Sequence, residues 1–175
     1  MRSPRSRTRI VRHHYLATMN KQHNSQLTTM LASAIGREIT ARRLAGNSLI
    51  VYLDGLPGDA TGLSLWFEPT WNLRSERAVL TGSRQAQSSD DPEESLIGPS
   101  GFDVAADAID LLVGQRIASV LVDEVSGDLR VSTSGGFVLS TFISDPSDDH
   151  FWHLTDRTTG DQWWRGSGGV TFRAK

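Results

Sequence analysis

The sequence contains no cysteine, which excludes disulfide bonds, thiolate metal sites and cysteine nucleophiles and fits a reducing compartment. It also lacks any apolar run of about 18 residues, the length that a membrane-spanning helix needs. Lysine occurs only at Lys21 and Lys175, so the basic side chains are almost all arginine. With 38% hydrophobic and 22% charged residues, the composition is that of a globular domain. We therefore expect a cytoplasmic protein that does not act at a membrane.

Acidic side chains are absent from residues 1–37, which carry seven of the 18 basic side chains. The rest of the chain carries the other 11 basic side chains and all 20 acidic ones, so an acidic body follows a basic head. Residues 1–24 hold few apolar side chains, and we expect a basic, disordered extension there. Three interpretations remain open: an arm that binds nucleic acid, a targeting peptide, or a segment that precedes a natural start at Met19.

Two similar stretches lie 78 residues apart, and each follows a helical pattern and leads into β-rich sequence: Ala34-Ile-Gly-Arg-Glu-Ile39 and Leu112-Val-Gly-Gln-Arg-Ile117. Further apolar and turn positions match in the same order. These matches pair Leu49-x-Val51 with Leu129-x-Val131, Leu63-x-Leu65 with Phe137-x-Leu139, Trp71-x-Leu73 with Trp152-x-Leu154, and Gly82-Ser83 with Gly166-Ser167. The conserved order of these positions predicts an internal duplication.

The duplication predicts an α+β, mostly β fold. Residues 25–83 form the first repeat, residues 84–101 an acidic linker, and residues 102–175 the second repeat, so that 25–175 is one globular unit. Each repeat reads as a helix followed by a meander of about four strands, which is too thin to bury both faces alone. We therefore expect the repeats to pack around a pseudo-two-fold axis as a sandwich or a partly closed barrel. Function is then expected where the repeats differ.

A cluster of carboxylates and imidazoles is the candidate for a metal site. Asp148, His150 and His153 lie within six residues, and both side-chain types bind zinc and similar ions. In a strand, however, His150 and His153 point to opposite faces, because they are an odd number of residues apart. A three-residue spacing favours joint ligation only on a helix. The alternative is a polar loop whose side chains are satisfied locally, and we predict no bound metal and no cofactor.

Two further groups are candidates for binding a partner. The acidic group is Asp90, Asp91, Glu93 and Glu94, although a solvated linker has the same composition. The aromatic group is Trp163 and Trp164; because they are adjacent, one of them faces outward if the segment is a strand. The sequence contains no nucleophile elbow, P-loop, dinucleotide fingerprint or zinc-protease motif, so no catalytic residue is predicted.

The doubled pattern Ile35-Gly-x-x-Ile39, Leu49-x-Val51, Trp71-x-Leu73 and Gly82-Ser83 resembles small bacterial domains of unknown function, some of them like the immunity proteins that accompany secreted toxins. The resemblance implies a non-enzymatic protein that acts by binding a protein partner. A small-molecule binder or divergent enzyme with a cleft between the repeats is the alternative. Nucleic acid is expected as a partner only through the basic extension.

Overall fold

The computed structural model describes residues 25–86, 101–142, 151–166 and 169–175. The basic extension, most of the acidic linker and part of the metal candidate lie outside these ranges. The candidate residues concerned are Asp90, Asp91, Glu93, Glu94, Asp148 and His150.

The described residues form three helices and eleven strands. The helices are α1 (residues 25–34), α2 (Ser83–Ala86) and α3 (Gly101–Asp110). The strands are β1 (Ile39–Ala45), β2 (Ser48–Leu53), β3 (Leu63–Phe67), β4 (Trp71–Arg74), β5 (Val79–Gly82), β6 (Ile117–Val122), β7 (Leu129–Thr133), β8 (Val138–Thr141), β9 (Trp152–Asp156), β10 (Gln162–Gly166) and β11 (Gly169–Arg173). Among the described residues, none of the helices is long and apolar enough to cross a membrane.

The strands build two antiparallel sheets, and the predicted α+β, mostly β class is confirmed. Sheet one has the order β1-β2-β3-β9-β10-β11, and sheet two has the order β5-β4-β8-β7-β6. The strands do not close into a barrel. The meanders also do not stay within one sheet each: the chain changes sheets after β3 and again after β8. Helix α2 was not predicted and occupies the start of the expected linker.

The core lies between the inward faces of the two sheets. The alternation of β3 is clean, with Leu63, Leu65 and Phe67 buried. Leu65 pairs with Leu154 across the junction of β3 with β9, and Leu73 pairs with Leu139 across the junction of β4 with β8. These junctions join strands that are distant in the sequence, so each sheet depends on residues from both ends of the chain.

Two fully buried tryptophans tie the sheets together. The Trp71 indole N–H on β4, in sheet two, donates to the Asn47 carbonyl at 2.7 Å, in the turn between β1 and β2 of sheet one. The Trp152 indole N–H on β9, in sheet one, donates to the Gly127 carbonyl at 2.9 Å, in the turn between β6 and β7 of sheet two. Each indole therefore fills the core and satisfies its polar atom on the opposite sheet.

The segments that follow α1 and α3 hydrogen-bond to each other. The Gly36 N–H donates to the Ile117 carbonyl, and the Gly114 N–H donates to the Ile39 carbonyl, both at 2.8 Å. Both glycines have a positive φ, +83° and +82°, which suits a residue that ends a helix and which other residues rarely adopt. The two glycines thus end their helices and also join the two segments.

Between those bonds, Glu38 and Arg116 form an isolated antiparallel bridge, and their side chains form an ion pair with an N–O distance of 3.3 Å. Strands β1 and β6 each begin with a bulge immediately after this contact, between Ile39 and Ala41 and between Ile117 and Ser119. The bulge explains why the hydrophobic alternation of β1 is imperfect in the sequence, because a bulge adds one residue to one strand of the pair.

Helix α3 is fixed to the edge strand β1 by a two-bond ion pair. The Arg42 Nε and Nη2 atoms each donate to one oxygen of the Asp110 carboxylate at 2.7 Å, and Nη2 also donates to the Ala106 carbonyl at 3.1 Å. The hydrogen bond from Arg42 lowers the pKa of Asp110. Because the Asp110 side chain is 57% exposed, we expect this pair to orient the helix more than it stabilises the fold.

Candidate functional site

The outer face of sheet one carries a row of large side chains. In neighbouring strands, Trp66 lies opposite His153, and His153 lies opposite Trp164. The Trp66 and His153 rings are 5.8 Å apart between centroids. Of the two adjacent tryptophans predicted as partner-binding residues, Trp164 is partly exposed on this face. Trp163 is only 5% exposed and packs in the core, 4.9 Å from the Phe172 ring, so it is not available to a partner.

His153 is the described member of the predicted metal cluster, and its Nε2 atom lies 3.8 Å from Glu68 Oε1. The other Glu68 oxygen accepts a hydrogen bond from the Ser48 hydroxyl at 2.6 Å. In the described part of the chain, no three histidine, aspartate or glutamate side chains converge as a metal would require. The Ser48 proton also points to the carboxylate and not to the imidazole, so the histidine is not placed to activate this serine.

One end of the same face is covered by the loop of residues 54–62, which joins β2 to β3. The Arg157 Nη1 atom donates to the Leu56 carbonyl at 2.6 Å and to the Asp59 carbonyl at 3.2 Å, and the guanidinium lies 5.2 Å from the centroid of the Tyr52 ring. Tyr52 is consequently only 8% exposed, although it points away from the core. The loop therefore closes this part of sheet one to solvent.

Gly62 sets how this loop meets the sheet, and its replacement is a test of the cover. Gly62 and Gly58 both have a positive φ, +83° and +93°, but a Cβ at Gly62 would collide with the Leu53 carbonyl oxygen, whereas a Cβ at Gly58 meets nothing. We expect Gly58→Ala to cost about 1–2 kcal/mol from the backbone conformation alone. Gly62→Ala adds a steric cost of about 1–3 kcal/mol. Urea unfolding of both variants measures the difference, and equal losses would contradict the clash.

Within the described ranges, the outer face of sheet two has no such cover. The turn between β7 and β8 spans only residues 134–137, against the nine residues of the loop between β2 and β3. Val79, Leu121 and Phe142 are left 66%, 61% and 46% exposed. Three arginines accompany them, and in the described structure none of the three forms an ion pair: Arg74, Arg77 and Arg130. These six residues are called the sheet-two face below.

The sheet-two face is shaped by two shallow hollows of about 500 and 480 Å³, which share Arg74 and Arg130 as a common wall. Across β8, Arg74 lies opposite Val138 and Arg130 lies opposite Ser140. Asp123 lies on the rim, but its carboxylate accepts hydrogen bonds from Ser126 and from the Val125 N–H, which lower its pKa. Asp123 therefore keeps its negative charge but forms no ion pair with the arginines, and Asp128 and Glu76 also line the hollows.

Comparison of the chain with models of known protein families, with curated proteins and with solved structures found no match. The surfaces must therefore be interpreted from their own chemistry. Sequence reasoning pointed to Trp164 and His153 but missed the sheet-two face. The outward position of Arg130 is visible in the alternation of Leu129 to Thr133, whereas its lack of an ion pair depends on the fold.

Proposed function

We propose that this chain is a cytoplasmic, non-enzymatic protein-binding domain and that its partner docks on the sheet-two face. The observation that carries the proposal is the exposed group of Val79, Leu121 and Phe142 beside three arginines that form no ion pair with any described residue. Exposed apolar groups next to charge mark interaction sites, and arginine is enriched in protein interfaces. The resemblance of the sequence to immunity-type domains supports a binder of this kind.

The charge distribution indicates the kind of partner. After residue 37 the chain carries 11 basic and 20 acidic side chains, so an acidic partner is repelled by most of the body. The arginines of the sheet-two face place positive charge on this acidic body and attract carboxylates. We therefore propose a partner with an acidic rim around an apolar centre, because complementary charge fixes orientation and accelerates association while apolar contact supplies most of the affinity.

Charge reversal tests the proposal. The double variant Arg74→Glu/Arg130→Glu should lose its partner, with an affinity on the order of 1,000-fold weaker, since buried arginines at interface centres often contribute about 2 kcal/mol each. The matched control is Arg43→Glu on exposed β1 of sheet one, where Arg43 likewise has no ion pair in the described structure. The natural chain and each variant would be tagged, and the proteins that each recovers from the native host would be identified by mass spectrometry. The affinity of each variant for the recovered partner would then be measured. Partner loss by both variants, or by neither, contradicts this docking face.

We propose in addition that the fold arose by internal duplication, with the last strands of each repeat exchanged between the sheets. The hydrogen bonds between the helix-ending segments support this. When 78 is added to the donor's number and subtracted from the acceptor's number, the bond from Gly36 to Ile117 becomes the bond from Gly114 to Ile39. A relationship that maps each bond onto its partner in this way is what a two-fold axis produces.

Three further reciprocal features support the same axis. The bulges after Ile39 and Ile117 are separated by the same 78 residues. The indole N–H groups of Trp71 and Trp152 each donate to the first hairpin turn of the opposite sheet. The junction of β3 with β9 is repeated by the junction of β8 with β4. In this proposal β4 and β5, from the first repeat, complete sheet two, and β9 and β10, from the second repeat, complete sheet one.

A further inference from the structure

A groove between α1 and the neighbouring strands is lined by apolar side chains together with four polar or charged ones, Thr28, Asp123, Glu124 and Arg165. It has a volume of about 570 Å³, within the usual range for pockets that hold small molecules. Helix α1 forms one wall, and β6 and β11 contribute the other; the apolar lining residues are Leu27, Leu31, Ile35, Val120, Val122 and Val170. Ala32 and Leu121, the latter also part of the sheet-two face, complete the apolar lining.

One cation lines this apolar groove without a partner. Arg165 lies opposite Trp152 on β9 and opposite Val170 on β11, so its side chain is on the inward side of sheet one, at the open end of the core. Its Nε atom is buried and has no hydrogen bond. No hydrogen bond or ion pair joins its guanidinium to any residue in the described ranges.

The nearby acids do not neutralise Arg165. Asp123 lines the same groove, but its Oδ1 atom accepts hydrogen bonds from Val125 and Ser126 at 2.7–3.1 Å within its own turn. Glu124 lies on the groove rim and is exposed, and it forms no ion pair with a described residue. A buried Nε without a hydrogen bond is unfavourable, because the atom has lost its hydration without gaining a partner.

We infer that this groove binds an amphipathic carboxylate, with the apolar part of the ligand along α1 and its carboxylate on Arg165. A carboxylate matches the end of the planar guanidinium with two parallel hydrogen bonds from its Nη atoms, neither of which is buried as Nε is. The apolar walls gain from burial of an alkyl or aromatic body. An amine held in the same position would meet the positive charge of Arg165, so the site should select the sign of the head group.

Calorimetric titration of the full chain with decanoate, decanol and decylammonium, all below their micelle concentrations, tests the inference. Decanoate should bind, and decylammonium should bind at least about tenfold more weakly. Arg165→Met keeps an unbranched, apolar stem that reaches to about the position of Nε and removes the charge; it should weaken decanoate about tenfold or more and leave decanol unchanged. Ile35→Asp, at a position 49% exposed and therefore tolerant, should weaken both decanoate and decanol.

The control is Arg43→Met, which removes an arginine away from the groove and should change none of the affinities. The inference is overturned if none of the three probes binds, if decylammonium binds as tightly as decanoate, or if Arg165→Met binds decanoate like the natural chain. Circular dichroism of each variant verifies that a lost affinity is not a lost fold. Because Arg74 and Arg130 are unchanged here, failure of this test leaves the proposed docking face standing.

Discussion

Division of the chain between residues 86 and 87 should give two fragments that are unfolded alone and fold when mixed. The first fragment contains β4 and β5, which complete sheet two, and the second contains β9 to β11, which complete sheet one. Alone, the first fragment has no strand to pair with β3, and the second has none to pair with β8 on that side. Leu65 and Leu139 would then lose the strands that cover them, and an open, apolar sheet edge does not persist in water.

Far-UV circular dichroism of each fragment and of an equimolar mixture measures this result. The mixture should regain the β signal of the uncut chain and elute as a 1:1 complex, whereas each separate fragment should give a coil spectrum. A useful control is the second fragment carrying Trp152→Ala, which removes a core residue and should prevent complementation. Cooperative unfolding of one isolated fragment would show that its meander forms its own sheet, contrary to the exchanged arrangement.

The individual strands could be predicted from the sequence because their signals are local. The turns at 46–47 and 134–136 and the alternation of Leu129 and Val131 delimit β1, β2 and β7. Strand partners could not be predicted in the same way. Alternation indicates which side of Leu65 faces the core, but it does not indicate whether β3 pairs with β4 or with β9. That choice depends on contacts between residues about 90 positions apart in the chain.

The candidate site shows the same limit, because the local pattern of its residues could be predicted but their partners could not. The adjacency of Trp163 and Trp164 predicts that one faces inward, and the register decides which: Trp163 lies opposite Leu154 in the core, and Trp164 lies opposite His153 outside it. Loop length carried a further signal. Residues 54–62 have only a short counterpart at 134–137, and among the described residues this difference leaves one sheet covered and the other open. The sequence alone does not indicate which surface a long loop covers, because that depends on the arrangement of the sheets.

Replacement of Trp152 by alanine should be among the most destabilising single changes in this chain. The side chain is fully buried, and its indole N–H satisfies the Gly127 carbonyl at 2.9 Å. Large-to-small changes of a buried tryptophan cost about 3–5 kcal/mol. Because small domains unfold with about 5–15 kcal/mol in total, the variant should lose a large part of its stability. Urea unfolding at 25 °C gives the change directly.

The outward Trp164 is the matched control, because it has the same side chain on the same sheet but lies partly in solvent. Trp164→Ala should cost clearly less, on the order of 1 kcal/mol, as is usual outside the core. The reciprocal residue Trp71 makes the sharper comparison. If the two repeats are related by the proposed axis, Trp71→Ala should lower the free energy of unfolding as much as Trp152→Ala. Each indole belongs to one sheet, fills the core and bonds to a turn of the other sheet. A loss near 1 kcal/mol for Trp71→Ala would mean that the two tryptophans do not have equivalent roles.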